Sequence, residues 1–275
     1  MTVPDGFLVE AAAPTDEPAA LFSRHGRVGV ITLNRPQALN AANSALSTAV
    51  GQALETLAAD PELQVGIITG TGRAFCAGMD LKAYAAGEDV SADGHPEWGF
   101  AGAARHYIDK PLIAAVNGLA LGGGAELVLA CDLVVASDKA VFALPEVKRG
   151  LFAAGGGVLR LPRQLPRRLA MELILTGEPL AAARALELGL INRVVPSEQL
   201  LDEALGLARQ IAANAPLAVQ TSKRLAHAGL RWGDDWDDEL WQLNEAAIDV
   251  IMNSQDGREG ARAFAEKRDP VWQGK

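Results

Sequence analysis

Short, unbroken apolar runs punctuate the first two thirds of this chain. Val28-Gly29-Val30-Ile31-Thr32-Leu33-Asn34, Val65 to Gly70, Pro111 to Val116 and Asp132 to Ser137 are bounded by proline, glycine or polar residues. A run without polar alternation predicts a strand buried on both faces. Arg35-Pro36 stops the first run. An edge strand is expected around Ala19 to Ser23, after a start containing Pro4, Pro14 and Pro18. Between the runs the period changes. Asn43 or Ser44 caps a helix reaching about Ala59, with Leu46, Val50, Leu54 and Leu57 on its apolar face and Asp60-Pro61 at its end. Residues 85–102 carry Gly, Asp, Ser and Pro96 and predict a mobile loop. Val141 to Glu146 leads to the Gly155-Gly156-Gly157 turn and a basic helical stretch from Arg160 to Arg168. From Ala170 onward the pattern is almost entirely helical, interrupted at Ile191 to Val195. Trp232, Trp236 and Trp241 are expected on one helix, as packing or an oligomer contact. Strands alternating with helices predict an α/β core. A composition shift near residue 200 divides it into a core of residues 1–199 and a helical region of residues 200–275.

Composition narrows the class. Of 275 residues, 49% are hydrophobic and 21% charged, enough to build a large core. A formal charge of −9 argues against a nucleic-acid or basic membrane-surface partner. Cys76 and Cys131 make neither a disulfide framework nor a metal cluster, which suits a reducing compartment. No secretory signal is recognisable, and no run reaches the roughly 18–20 apolar residues of a membrane span. The expectation is a soluble, cytoplasmic protein.

The strand ending at Val116 leads through Asn117-Gly118 to Gly122-Gly123-Gly124 and then Ala125-Glu126-Leu127-Val128-Leu129-Ala130, the first turns of a buried helix. A helix start holds N–H groups without internal partners, and glycine lets a ligand oxygen approach them. Glu126 stands one turn further on, in an apolar setting that is costly for a carboxylate unless it is used or paired. Alone, this stretch is equally a tight turn with a first-turn carboxylate. Glu146, after Pro145, is a second carboxylate in an apolar run, although Lys148 or Arg149 could pair with it. Several rival chemistries lack their anchors. Gly70-Thr71-Gly72 is not continued into G-x-G-x-x-G, and there is no phosphate loop, nucleophile elbow or H-E-x-x-H pair. His25, His95, His106 and His227 have no metal-ligand spacing. Two carboxylates beside free N–H donors suit acid/base chemistry on a carbonyl compound whose enolate must be stabilised.

Several motifs then fall into order: Arg35-Pro36 with Asn40-Ala41, Phe75 to Leu81, Val116 to Glu126, Phe142 to Glu146, Leu175-Thr176-Gly177, Ala182 to Val195, and Phe264 to Arg268. Together they resemble the crotonase (enoyl-CoA hydratase/isomerase) superfamily over roughly residues 20 to 272. The resemblance implies a crotonase-type spiral of ββα units, with a C-terminal helical region that makes a homotrimer or a dimer of trimers. It implies an acyl-CoA substrate, often in fatty-acid degradation, with no metal and no cofactor beyond the coenzyme A of the substrate. The oxyanion donors map onto the backbone N–H groups of Met79 and Gly123, and the catalytic pair onto Glu126, mainly as base, and Glu146, as acid. Arg35, Ala38, Ala77, Gly78, Asp80, Leu81, Leu121, Gly122 and Pro145 fall in the substrate-binding stretches. Retention of both glutamates favours an enoyl-CoA hydratase. Ala153-Ala154, where hydratases carry Pro-Gly, is a departure, and the glycine-rich Ala153 to Leu161 segment resembles the carnitinyl-CoA dehydratase branch. Carnitinyl-CoA-type dehydration and double-bond isomerisation are the enzymatic alternatives, and a crotonase-fold RNA-binding protein is the non-enzymatic one.

Overall fold

The structure is a computed structural model that describes residues 17–231 and 236–275. In chain order the elements are β1 (Ala20–His25), β2 (Val28–Leu33), α1 (Ser44–Ala59), β3 (Val65–Gly70), β4 (Ala74–Cys76), α2 (Leu81–Ala85), β5 (Leu112–Val116), β6 (Leu119–Leu121), α3 (Gly123–Ala130), β7 (Leu133–Ser137) and β8 (Val141–Ala143). They continue with α4 (Gly157–Gln164), α5 (Arg167–Thr176), β9 (Leu180–Ala181), α6 (Ala182–Glu187), β10 (Arg193–Val195), α7 (Leu200–Ala212), α8 (Pro216–Gly229), α9 (Asp238–Asn253) and α10 (Gln255–Glu266). Two sheets form, in the orders β1-β2-β3-β5-β7-β10 and β4-β6-β8-β9. The pairs β3/β4, β5/β6 and β7/β8 each place one strand in either sheet, so the chain climbs as a spiral of ββ units. Pairing is parallel except for β1 with β2 and β8 with β9.

The unbroken apolar runs follow from burial of the six-stranded sheet on both faces. Ile31, Leu33, Ile68, Ala114, Val116, Val134 and Ala136 share one core with Leu46, Val50, Leu54 and Leu57 of α1. Their strand neighbours Val28, Val30, Val65, Ile67, Ile113, Ala115 and Val135 point the other way, where Leu200, Ala204, Leu205 and Ala208 of α7 cover them. The period of two therefore sorts apolar residues between two cores instead of between core and water. The region starting at residue 200 thus opens with a helix that completes the sheet's packing. After it, α8 is tied back by Lys223, whose Nζ lies 2.8 Å from Asp132 Oδ2, whereas α9 buries no residue.

Two expectations change. The 85–102 segment is pinned to α1 and is not a free loop. Ser47 Oγ donates to Val90 O at 2.7 Å, Asp93 N donates to Thr48 Oγ1 at 2.8 Å, and Trp98 is buried between His95 and His106, stacked at 3.9 and 4.7 Å. Its polar composition concealed one apolar anchor placed opposite Gly51, where any Cβ would meet the indole at 2.1 Å. The three tryptophans do not share one helix: Trp236 precedes the Asp237 cap that starts α9, Trp241 lies within it, and Trp232 falls outside the described residues. Asp237 accepts from Glu239 N and Leu240 N, and this cap sets the boundary.

Candidate active site

The three parallel strands β4, β6 and β8 end at one edge, where the register row Cys76–Ala120–Phe142 aligns them. Beyond that row lie Met79, Gly123 and Glu146 in turn. Ligand sites gather at carboxyl ends of parallel strands for this reason. Gly78, at φ +98°, and Gly122, at φ +55°, permit the convergence. A Cβ on Gly78 would stand 2.9 Å from Leu121 O and 3.4 Å from Gly123 N, and one on Gly122 would stand 3.1 Å from Glu146 Oε1.

Both expected donors are free among the described residues. The Ala42 N–H donates to Gly78 O and the Ala42 carbonyl accepts from Asp80 N, the parallel-bridge pattern that leaves the Met79 N–H turned away from Ala42. Gly122 N is occupied by Ala143 O, and Gly123 is the first residue of α3, so its N–H has no helical partner. Arg35 and Asp80, expected to bind substrate, neutralise each other at 3.0 Å. Arg35 also donates to Ala41 O, while Asp80 caps α2 through Lys82 N and Ala83 N. Together with Ala77, whose N–H donates to Leu39 O, they shape the Met79 loop. Ala38 is buried in the turn beside them, Leu81 is exposed, and Leu121 and Pro145 are half-buried.

The two carboxylates differ in their surroundings. Glu126 is only 3% exposed. Its Oε1 accepts from Gly157 N at 2.8 Å, and its Oε2 lies 2.6 Å from where a Gly155 Cβ would be. Burial pushes its pKa up, while the N–H groups of Gly157 and Gly155 and the charge of Arg160 oppose the rise. Glu146 is half-buried, and its Oε2 is buried without a partner. Burial pushes its pKa up as well, and the negative charge of Glu126 adds to the rise. Lys148, the partner considered from sequence, pairs with Glu178 at 2.8 Å instead. A buried, unpaired carboxylate oxygen is costly unless something from outside the chain completes it.

Three participants escaped the sequence reading: the Gly155–Gly157 cradle of Glu126, Arg160, and Phe100, whose ring meets a Gly123 Cβ position at 2.3 Å. A glycine triplet directly before a helix start was the available signal for the first. Among the described residues no three His, Cys, Asp or Glu side chains gather as metal ligands would, and no helix is long and apolar enough to cross a membrane.

The sequence profile of a family described as enoyl-CoA hydratase/isomerase matches residues 23–275. The chain belongs to that enoyl-CoA hydratase/isomerase family. It is 45% identical over 259 residues to a carnitinyl-CoA dehydratase of Citrobacter koseri, covering 92% of this chain and 98% of that protein. Among solved structures, an enoyl-CoA hydratase of Mycobacterium tuberculosis superposes with a TM-score of 0.89 at 47% identity, covering 94% of this chain and all of the other. A carnitinyl-CoA dehydratase of Mycobacterium avium superposes at 0.76 with 54% identity and the same coverage. The protein is a hydro-lyase of this crotonase-type family, and its two-sheet spiral is the fold these neighbours share.

Proposed function

We propose that this hydro-lyase adds water reversibly across the double bond of a 2-enoyl-CoA thioester, giving a 3-hydroxyacyl-CoA. The observation that carries the reading is a buried carboxylate and a half-buried one, differently supported, together with two free backbone donors. The thioester oxygen would accept from Met79 N and Gly123 N, which draws electron density from C3. Donors of this kind are each worth about 2.7–4 kcal/mol of transition-state stabilisation. Glu126 would take a proton from water as the oxygen bonds to C3, and the π pair would move onto the thioester oxygen. Collapse of the enolate would then take a proton at C2 from Glu146. Arg35, Ala38, Ala77, Gly78, Asp80 and Leu81 would shape the coenzyme A side, with Leu121, Gly122 and Pro145 framing the reacting carbons. This chemistry asks for neither metal nor redox cofactor.

The experiment is a turnover series followed by loss or gain of the conjugated-thioester absorbance. E126Q and E146Q should each lose at least about 10²-fold in hydration. Near-wild-type hydration by E126Q, or faster isomerisation of a 3-enoyl-CoA by the wild type, would sink the assignment.

A second reading, dehydration of carnitinyl-CoA, draws support from the names of the relatives at 45% and 54% identity. It uses the same glutamates and differs in the quaternary ammonium at the acyl end. Competing carnitinyl-CoA against 3-hydroxybutyryl-CoA separates the two by kcat/KM. The proposed assembly is a homotrimer or a dimer of trimers. Its support is α9, which buries nothing and exposes Trp241, Leu243, Ile248, Val250 and Met252. A stable monomer in sedimentation at micromolar concentration would contradict it.

A further inference from the structure

Arg160 lies one turn into α4 and is half-buried. Its Nη1 donates to Gly155 O at 3.1 Å, and its Nη2 donates to Ala104 O. It therefore straps the turn that cradles Glu126 to the segment that carries Phe100. The backbone is formed around it: Gly156 sits at φ +115°, and a Cβ there would meet Arg160 Nη1 at 2.1 Å. That segment in turn reaches the site through the Phe100 ring, which abuts Gly123.

The charged and titratable groups facing Glu126 are few. α4 contributes the Arg160 cation, and the turn after β8 contributes the Glu146 carboxylate. The 98–106 segment contributes the apolar Phe100 side chain, whose Cβ lies by the Gly155 turn and whose ring lies against Gly123, and the Ala104 carbonyl, which Arg160 holds. Just past α3 comes the Cys131 thiol, which donates to Leu127 O and which burial pushes up to about 12, so it stays neutral. Glu146 has no cation in this inventory. A guanidinium keeps its charge at any working pH, so the asymmetry is permanent: Glu126 has a fixed counter-charge and the N–H groups of the Gly155–Gly157 turn beside it, whereas Glu146 has no cation and only its own backbone N–H.

We propose that Arg160 is a positioning residue that makes Glu126, and not Glu146, the member of the pair that is ionised and ready to receive a proton from water. It does so in two ways, by holding the Gly155–Gly157 N–H groups against the carboxylate and by placing a cation behind them. Glu146 then keeps its proton because its nearest carboxylate neighbour is already charged. This rests on the hydration reading for its consequence in catalysis, although the order of ionisation is a property of the free protein.

The test has a spectroscopic arm and a kinetic arm. In the free wild-type protein, 13C NMR titration of the glutamate side chains, with signals assigned by E126Q and E146Q, should show Glu126 ionising at lower pH than Glu146. In R160M the Glu126 midpoint should move up and the Glu146 midpoint down, because a carboxylate pair trades charge. A merely structural loss would not produce these opposed movements. In the kinetic arm, the acid limb of the kcat/KM profile for 2-enoyl-CoA hydration should shift to higher pH in R160M. R160K, which keeps the charge but not the two-point strap, should restore the limb while leaving kcat lowered. Glu146 ionising first in the wild type would overturn the proposal, even were R160M unable to fold. So would unchanged midpoints in R160M, or an R160K limb displaced as far as that of R160M. If the midpoints behave as expected but the wild type hydrates no enoyl-CoA, the hydration reading falls and the ordering role of Arg160 stands.

Discussion

Gly124→Ala tests whether the two donors depend on the close approach of α3 to the end of β4. A Cβ on Gly124 would lie 2.0 Å from Cys76 O and 2.7 Å from Cys76 C, both backbone atoms, whereas real Cβ contacts stay beyond 3.0 Å. The difference, 3.0 − 2.0, means that the first turn of α3 and the end of β4 must separate by at least 1.0 Å. Met79 follows β4 and Gly123 begins α3, so the separation opens the gap between their N–H groups. Misplacement of about 1 Å near a reacting centre can cost about 10²-fold, and losing a donor outright costs about 10²–10³-fold. Hydration should therefore fall by about 10²–10³-fold, mainly in kcat. Overpacking of this kind costs typically 1–3 kcal/mol of stability, so the variant should still fold. The assay is enoyl-CoA absorbance loss in a sample whose circular dichroism and melting are checked beside it. A folded G124A with near-wild-type kcat would refute the reasoning, because the donors would then not need that spacing.

Three further outcomes follow from the same structure. The pKa of Glu146 is raised on folding, so its contribution to stability is complete below the unfolded carboxyl range and is lost as pH rises through the folded value. E146Q should accordingly melt above the wild type at neutral pH and lose that advantage in acid; a lower melting point at neutral pH counts against it. Burial pushes both Cys76 and Cys131 up to about 12, and the thiolate is the reactive form. Neither should react with a disulfide reagent until the protein unfolds, and a fast native thiol would be inconsistent with the packing. Asn43 caps α1 by accepting from Leu46 N at 3.1 Å, so Asn43→Ala should destabilise by about 1 kcal/mol in urea unfolding, with no change in the chemistry.

Local pattern was enough to read the strands of the central sheet, the apolar face of α1 with its Asn43 cap, the glycine entry to α3, and Glu126 and Glu146 as the carboxylates of interest. These are legible because residues a few positions apart carry the whole signal: an unbroken apolar run, a 3.6-residue period, a cap, a glycine where N–H groups must stay open. Burial of the central sheet on both faces is written into the same runs. The partners of those groups were not legible. Glu126 is held by Gly157, 31 residues away, and Arg35 by Asp80, 45 residues away. The 85–102 segment looked mobile because its composition is polar, yet Trp98 fastens it to α1 across the gap that Gly51 leaves. Contacts at such separations are made by the parallel register of β4, β6 and β8, which aligns three chain segments at one edge. No periodicity within any one of them encodes that alignment. It is also what separates the environments of the two glutamates, because their spacing in the chain says nothing about which of them a distant arginine will face.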